Sequence, residues 1–231
     1  LHNILRGIFI LSLLSVQPLK SQTLPSYLPS NGLVAWWPFD GNANDASGNG
    51  NNGTVNGATL TTDRNGSANS AYFFSSASCA TRIDVNVNTA SITTGLTIQL
   101  WAKRAGNGCV IPRLMEFWAN NGAGQAQWIW DNSNSGISIG SETSTGGAQK
   151  TLPVRPDNVW TQLVYTNDGT MGRFFQDGTL VDSIVSTGAV SLSGNGAFGR
   201  MNHAAWDAFN GSLDDIGIWN RALDSCEIQD L

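Results

Sequence analysis

Short runs of alternating apolar and polar residues, set between turns rich in glycine and asparagine, fill the chain from Leu33 to Trp219. Within residues 96–101, Leu96, Ile98 and Leu100 share one face, and Thr97, Gln99 and Trp101 share the other. That is the period of two of a strand with one buried side. The same reading predicts strands at 33–39, 71–74, 82–87, 110–117, 127–130, 136–139, 160–165, 172–176, 179–184, 197–200 and 212–219. Asp177-Gly178, lying between two such runs, predicts a hairpin, because a type I′ turn needs positive φ at both central positions. Many short strands with turn signals between them predict an all-β fold, a two-sheet antiparallel sandwich or jelly roll. One helical turn is expected, at the C-terminus. Asp224-Ser225-Cys226-Glu227 has the form of a capping box and leads into Ile228 and Leu231. No longer period repeats along the chain, which argues against a solenoid.

Ahead of the strands, Arg6 precedes an apolar run from Gly7 to Val16. This has the length of a signal-peptide core and falls short of the ~20 residues that a spanning helix needs. We read 1–21 as a signal peptide, 22–31 as a lead-in and 32–231 as one domain. The competing reading of the first segment is a buried N-terminal helix. No second apolar stretch of spanning length follows, so the mature chain is expected outside the cell or at its surface, with no membrane span. Export changes how the cysteines read. Cys79 and Cys109 lie on neighbouring predicted strand segments and can pair. The alternative is three reduced, buried thiols. Cys226, in the C-terminal helical turn, is the one expected to stay unpaired.

Composition narrows the chemistry. The 231 residues carry 12 Lys and Arg against 17 Asp and Glu, a formal net charge of −5. An acidic, lysine-poor chain offers no basic patch for nucleic-acid phosphates. Its two histidines are His2, in the expected signal segment, and His203. One remaining histidine rules out a multi-histidine zinc site and disfavours a histidine-based triad. Neither an H-E-x-x-H signature nor a P-loop pattern occurs. Glutamate is limited to Glu116, Glu142 and Glu227. Glu116 has no acidic neighbour in its own strand, whereas a retaining glycosidase works with two carboxyls about 5–5.5 Å apart. Strand alternation puts Arg113 on the face opposite Glu116, so no ion pair between them is expected. The chain is read as non-enzymatic.

Two segments carry a family resemblance. The opening string GLVAWWPFDGNANDASGNGNNGTVN starts at Gly32, and the closing string FNGSLDDIGIWNRALDSCEI starts at Phe209. Between them come LTIQLW from Leu96, WTQLVYT from Trp160 and an Asp-Gly hairpin. This order resembles the laminin-G-like, concanavalin A-like jelly-roll domains of secreted bacterial proteins, over essentially the whole of 32–231. The resemblance implies two antiparallel sheets, a concave ligand-facing side, often one calcium ion, and a role in binding or adhesion. It also implies that the first and last strands lie side by side, so that Asp40, Gly41 and Asp45 approach Asp214 and Asp215. By that analogy Asp214 is the leading side-chain ligand for Ca²⁺, with Asp40 and Gly41 supplying oxygens and Asp45 a weaker member. The competing role for Asp45 is an Asx-turn over Ser47 and Gly48. In a regular strand Asp214 and Asp215 face opposite sides.

Sugar binding pairs aromatic planes with amides and carboxylates. Trp128 and Trp130 share a face, with Gln125 and Asp131 close by. Arg200, Asn202, His203, Trp206 and Asp207 fall in one irregular stretch before the closing motif. Trp128, Trp130, Arg200, Asn202, His203, Trp206 and Asp207 are the candidate ligand site, although Trp36, Trp160 and Trp219 read more simply as core. Three functions follow. The first is a secreted carbohydrate-binding or adhesion module that recognises a polysaccharide or glycan. The second is a non-catalytic domain that binds a surface protein, and the third is a glycoside hydrolase of similar fold.

Overall fold

In the computed structural model, residues 24–118, 125–133, 135–143, 146–201 and 207–231 are described. Among them, fifteen strands and one short helix form two antiparallel sheets packed face to face. The signal segment, Asn202, His203 and Trp206 lie outside the described residues.

The first sheet contains β1 (Leu33–Trp37), β3 (Thr59–Thr61), β4 (Ala71–Phe74), β6 (Leu96–Arg104), β11 (Thr161–Asn167), β12 (Met171–Gln176), β13 (Thr179–Val185) and β15 (Gly211–Trp219). Its order is β13-β12-β11-β6-β15-β4-β3, with β1 paired to the C-terminal half of β15. The second sheet contains β2 (Thr54–Asn56), β5 (Arg82–Asn86), β7 (Arg113–Phe117), β8 (Ala126–Trp130), β9 (Ile137–Thr143), β10 (Gly146–Leu152) and β14 (Asn195–Phe198). Its order is β10-β9-β8-β7-β14-β5-β2. The first and last strands do meet: Trp36 lies opposite Gly217 and Trp37 opposite Ile216. The Asp177-Gly178 hairpin forms between β12 and β13, with φ of 50° and 72° at the two positions. Strands β2, β3 and β10 are additions to those read from the pattern.

Alternation decides what each face buries. Leu96, Ile98 and Leu100 of β6 face Trp128, Trp130 and Phe198 across the sandwich, and all are fully buried. Burial of this apolar area is the main stabilising term of the fold. It also corrects the reading of Trp128 and Trp130 as a ligand platform. Their shared face is the inner one, and neither ring reaches solvent. Trp130 instead stacks on Phe209, with ring centroids 6.5 Å apart.

The outer face of the first sheet carries a second apolar cluster. Trp36, Val164, Phe175 and Trp219 are covered by Leu28 from the lead-in and by Leu223, Ile228 and Leu231 at the C-terminus. The helix α1 (Ser225–Asp230) is held in place by the expected capping box. The Asp224 carboxylate accepts from the N–H groups of Cys226 and Glu227, and Glu227 accepts from the Asp224 N–H at 3.0 Å. Among the described residues, the outer face of the second sheet carries no such apolar cluster.

Cys79 and Cys109 form a disulfide with Cα atoms 6.0 Å apart, and Cys226 is free and exposed. Among the described residues, no helix is long and apolar enough to cross a membrane.

Candidate glycan-binding face

The outer face of the second sheet is polar because its strands turn their alternate residues away from the core. Asp84 of β5, Ala197 of β14, Glu116 of β7 and Gln127 of β8 stand side by side in one cross-strand row. Arg82 lies two residues from Asp84 and donates to it at 2.7 Å, while Asn56 of β2 donates to the same carboxylate at 2.8 Å.

A β-bulge puts the central charge on this face. The β7–β8 register shifts between Arg113 and Met115. A bulge adds one residue to one strand and re-aims the side chains around it. Arg113 therefore points to the same side as Glu116, contrary to the simple alternation, and the two form an ion pair at 3.5 Å. Arg113 also reaches Asp207 at 3.3 Å and donates to the Gln127 Oε1 at 2.6 Å. Gln127 in turn donates to Gln125 at 3.2 Å. Arg113, Glu116 and Asp207 are all buried. Asp207, read from the sequence as a candidate ligand residue in the stretch before the closing motif, lies on this face with Gln127 and Asp84, which the sequence reading did not single out, and Glu116, which it weighed only as a catalytic acid. The signal for them lay in the strand alternation, which the solitary position of Glu116 obscured.

Arg200 sits at the edge of the same face, paired through an isolated bridge to Ala208. Its Nε donates to the Met201 carbonyl at 3.0 Å, and its Nη1 approaches the carbonyls of Cys79 and Ala80 at 3.5 Å. Burial, and then the nearby Arg82, lower its pKa. Each arginine on this face thus already holds protein oxygens.

The geometry does not resemble a hydrolase centre. A guanidinium bridges Glu116 and Asp207, where a glycosidase keeps an open gap for the sugar oxygen or the water. Gly136-Ile137-Ser138-Ile139-Gly140 matches the letters of a nucleophile elbow. It begins just before β9 and runs along that strand, however, without the strand-to-helix turn that such a serine needs.

The positions assigned to calcium fall into two groups. Asp45 is fully used by the protein. Its Oδ1 accepts from the N–H groups of Trp36 and Ser47, and its Oδ2 accepts from the N–H and Nδ2 of Asn51, all at 2.9–3.0 Å. Four donors leave no lone pair for a metal, so the Asx-turn describes this residue. Asp40 and Gly41 are exposed beside the other group.

That other group is a buried acid pair. The β15 register shifts between Asp214 and Gly217, and Asp215 takes a φ of 44°. This second bulge turns both carboxylates to one side, again against the alternation. Arg64 binds both, Asp214 at 3.1 Å and Asp215 more closely, while its guanidinium lies 4.8 Å from the Trp101 ring. Burial, then the charge of Asp215, push the Asp214 pKa up to about 8 against the pull of Arg64. Burial likewise raises Asp215, with Asp40 and Asp63 adding to the effect. One guanidinium therefore serves two acids, of which Asp214 keeps its proton up to about pH 8, and the oxygen donors suit a hard cation once that proton is lost. Among the described residues, no three acidic, His or Cys side chains converge as a ready metal cage.

Comparison with known proteins gives the same architecture. A family model described as the concanavalin A-like lectin/glucanases superfamily, laminin-G type, matches residues 76–229. No curated protein matches the sequence. Among solved structures, domain 4 of AbnA, a GH43 extracellular arabinanase from Geobacillus stearothermophilus in complex with arabinotriose, superposes with a TM-score of 0.68 at 18% identity. The match covers 86% of this chain and 97% of that domain. The binding domain of Paraclostridial Mosquitocidal Protein 1 superposes with a TM-score of 0.68 at 17% identity, over 87% of this chain and 51% of that one. The binding domain of botulinum neurotoxin DC in complex with SialylT gives 0.70 at 16% identity, over 87% and 50%. The chain thus spans about half the length of the toxin domains that it matches, and at these identities the likeness concerns the fold.

Proposed function

The chain belongs to the concanavalin A-like lectin/glucanases superfamily, in its laminin-G-like branch, and on that premise we propose that it is a non-catalytic module that binds a neutral glycan. The ligand lies on the outer face of the second sheet. The observation that carries this reading is the contrast between the two outer faces. One is sealed by an apolar cluster and a helix, while the other carries the part-exposed Asp84 and Gln127 beside the buried Arg113–Glu116–Asp207 network. Carboxylates and amides fixed by their neighbours are suited to sugar hydroxyls, because their geometry is set before binding. The arginines are engaged with protein oxygens, which favours a neutral sugar over an acidic one. Export is part of the same proposal and is supported by the disulfide, a bond that persists in oxidising compartments.

The test is a binding panel of arabinotriose, other neutral oligosaccharides and sialylated oligosaccharides. Gln127→Ala and Asp84→Ala should each weaken a neutral ligand about tenfold or more, with an unchanged melting temperature. Binding only of sialylated sugars, or of none, would reject the proposal.

Calcium is its finer part. An entering ion would displace Arg64 from Asp214 and Asp215, with Asp40 and Gly41 as neighbouring oxygens, and would supply positive charge to an overcrowded acid cluster. A chelator should then lower the melting temperature reversibly, and identical melts with and without calcium would remove the ion from the account.

One observation favours the second reading, a protein-interaction domain. The edge strand β13 exposes Leu180, Val181 and Val185, the last at 69%. That reading predicts partner binding that survives Gln127→Ala and is lost in Val185→Lys.

A further inference from the structure

The cross-strand row through Arg113 does not end at the ion-pair network. Arg113 lies opposite Ile129, Ile129 opposite Ser138, and Ser138 opposite Thr151. At ~4.8 Å between neighbouring strands, the row extends roughly 14 Å from β7 to β10. Its far end is a pocket of about 330 Å³, floored by Ile129, Ser138 and Thr151. That volume is at the small end of the ~300–1,000 Å³ range of ligand sites.

The two walls differ in chemistry. On one side, Val110 is 76% exposed and Ile111 38%. These apolar groups are held out to water by a fixed lip. Cys109 is bound to Cys79, its N–H donates to the Ala208 carbonyl at 2.8 Å, and its carbonyl accepts from Asn132 at 2.6 Å. The Pro112 carbonyl accepts from the Trp130 N–H at 3.0 Å. A lip anchored at this many points presents its apolar residues in one place and one orientation.

On the other side is Asp131. Its carboxylate accepts from the Ser133 N–H and hydroxyl at 2.8 Å and from the Ser135 hydroxyl. These bonds, that of Ser135 first, hold its pKa below the usual carboxylate value. The pocket thus sets an apolar wall against a fixed carboxylate and hydroxyls. A sugar ring has the matching division, with C–H faces for Val110, Ile111 and Ile129 and hydroxyls for Asp131 and Ser138.

We infer that this pocket is a second sugar subsite, and that the ligand is an oligosaccharide laid across the strands rather than a single terminal sugar. The inference rests on the glycan reading above and adds its direction and length. One end lies at Gln127, beside the buried Arg113–Asp207 network, and the other fills the pocket between Val110 and Asp131.

Calorimetric titration of the full chain with arabino- and xylo-oligosaccharide ladders, from disaccharide to hexasaccharide, tests it. Affinity should rise along the ladder that binds. In Val110→Ser/Ile111→Ser the hexasaccharide should lose about tenfold while the disaccharide keeps its affinity. Thr151→Trp, at an exposed edge position, fills the pocket without touching the lip and should flatten the ladder in the same way. An unchanged hexasaccharide affinity in both variants overturns the subsite and leaves the glycan reading standing. Failure of the native chain to bind any ladder member or any other neutral sugar of the panel above overturns both.

Discussion

Replacing Arg64 with methionine isolates the acid pair on β15. Methionine retains apolar contact with the Trp101 ring and removes the guanidinium that, among the described residues, binds Asp214 and Asp215. Breaking one side of a buried ion pair costs about 3–5 kcal/mol, because a charge is left without compensation. For a domain of this size that corresponds to roughly 6–20 °C in melting temperature. The cost depends on pH with a definite sign. Asp214 is pushed up to about 8 in the folded state, mainly by burial. Between the unfolded carboxylate value near 4 and that pKa, the folded protein holds a proton that the unfolded chain releases. This contribution to stability is complete at low pH and is lost as pH rises toward about 8. The Arg64→Met deficit should therefore be largest near pH 8.5. At about pH 5, where Asp214 is neutral, it should be smaller. Urea unfolding in calcium-free buffer at the two pH values measures it. An equal loss at both, or less than about 1 kcal/mol near pH 8.5, would refute the picture of two crowded acids sharing one cation.

Two stability predictions concern other parts of the scaffold. Cys79→Ala/Cys109→Ala opens a bridge spanning 30 residues and should cost about 3–4 kcal/mol in chemical denaturation by the chain-entropy relation. An unchanged midpoint would mean that the loop is held by its hydrogen bonds alone. Asp45→Asn exchanges the acceptor of four buried or part-buried N–H bonds for an amide with one oxygen, and should lower stability by about 3 kcal/mol. A neutral result would show that these donors find other partners.

Much of the fold was legible in the chain because a period of two has few readings. The strand at Leu96, the Asp177-Gly178 hairpin and the capping box at Asp224 follow from local pattern and turn chemistry, while the pairing of the first and last strands was implied by the family resemblance. The strands β2, β3 and β10 did not, since 54–56 and 59–61 are too short to show alternation and 146–152 opens with two glycines. The candidate site was read less well, for one physical reason. Both candidate clusters sit at β-bulges, where an extra residue breaks the period. Alternation put Arg113 and Glu116 on opposite faces, and Asp214 and Asp215 likewise. The bulges bring each pair together. Trp128 and Trp130 failed in the other direction. Their spacing correctly gave them a shared face, but composition alone could not say that this face was the core. Asp45 was ambiguous between metal ligand and turn, and its four N–H partners account for it as a turn.

The most direct test is a crystal structure of the chain with a bound neutral oligosaccharide. The account predicts sugar rings on the outer face of the second sheet, from Gln127 across Ile129 to the pocket at Val110 and Asp131. Density for the sugar against the Trp36–Trp219 cluster, or at the β13 edge, would contradict it.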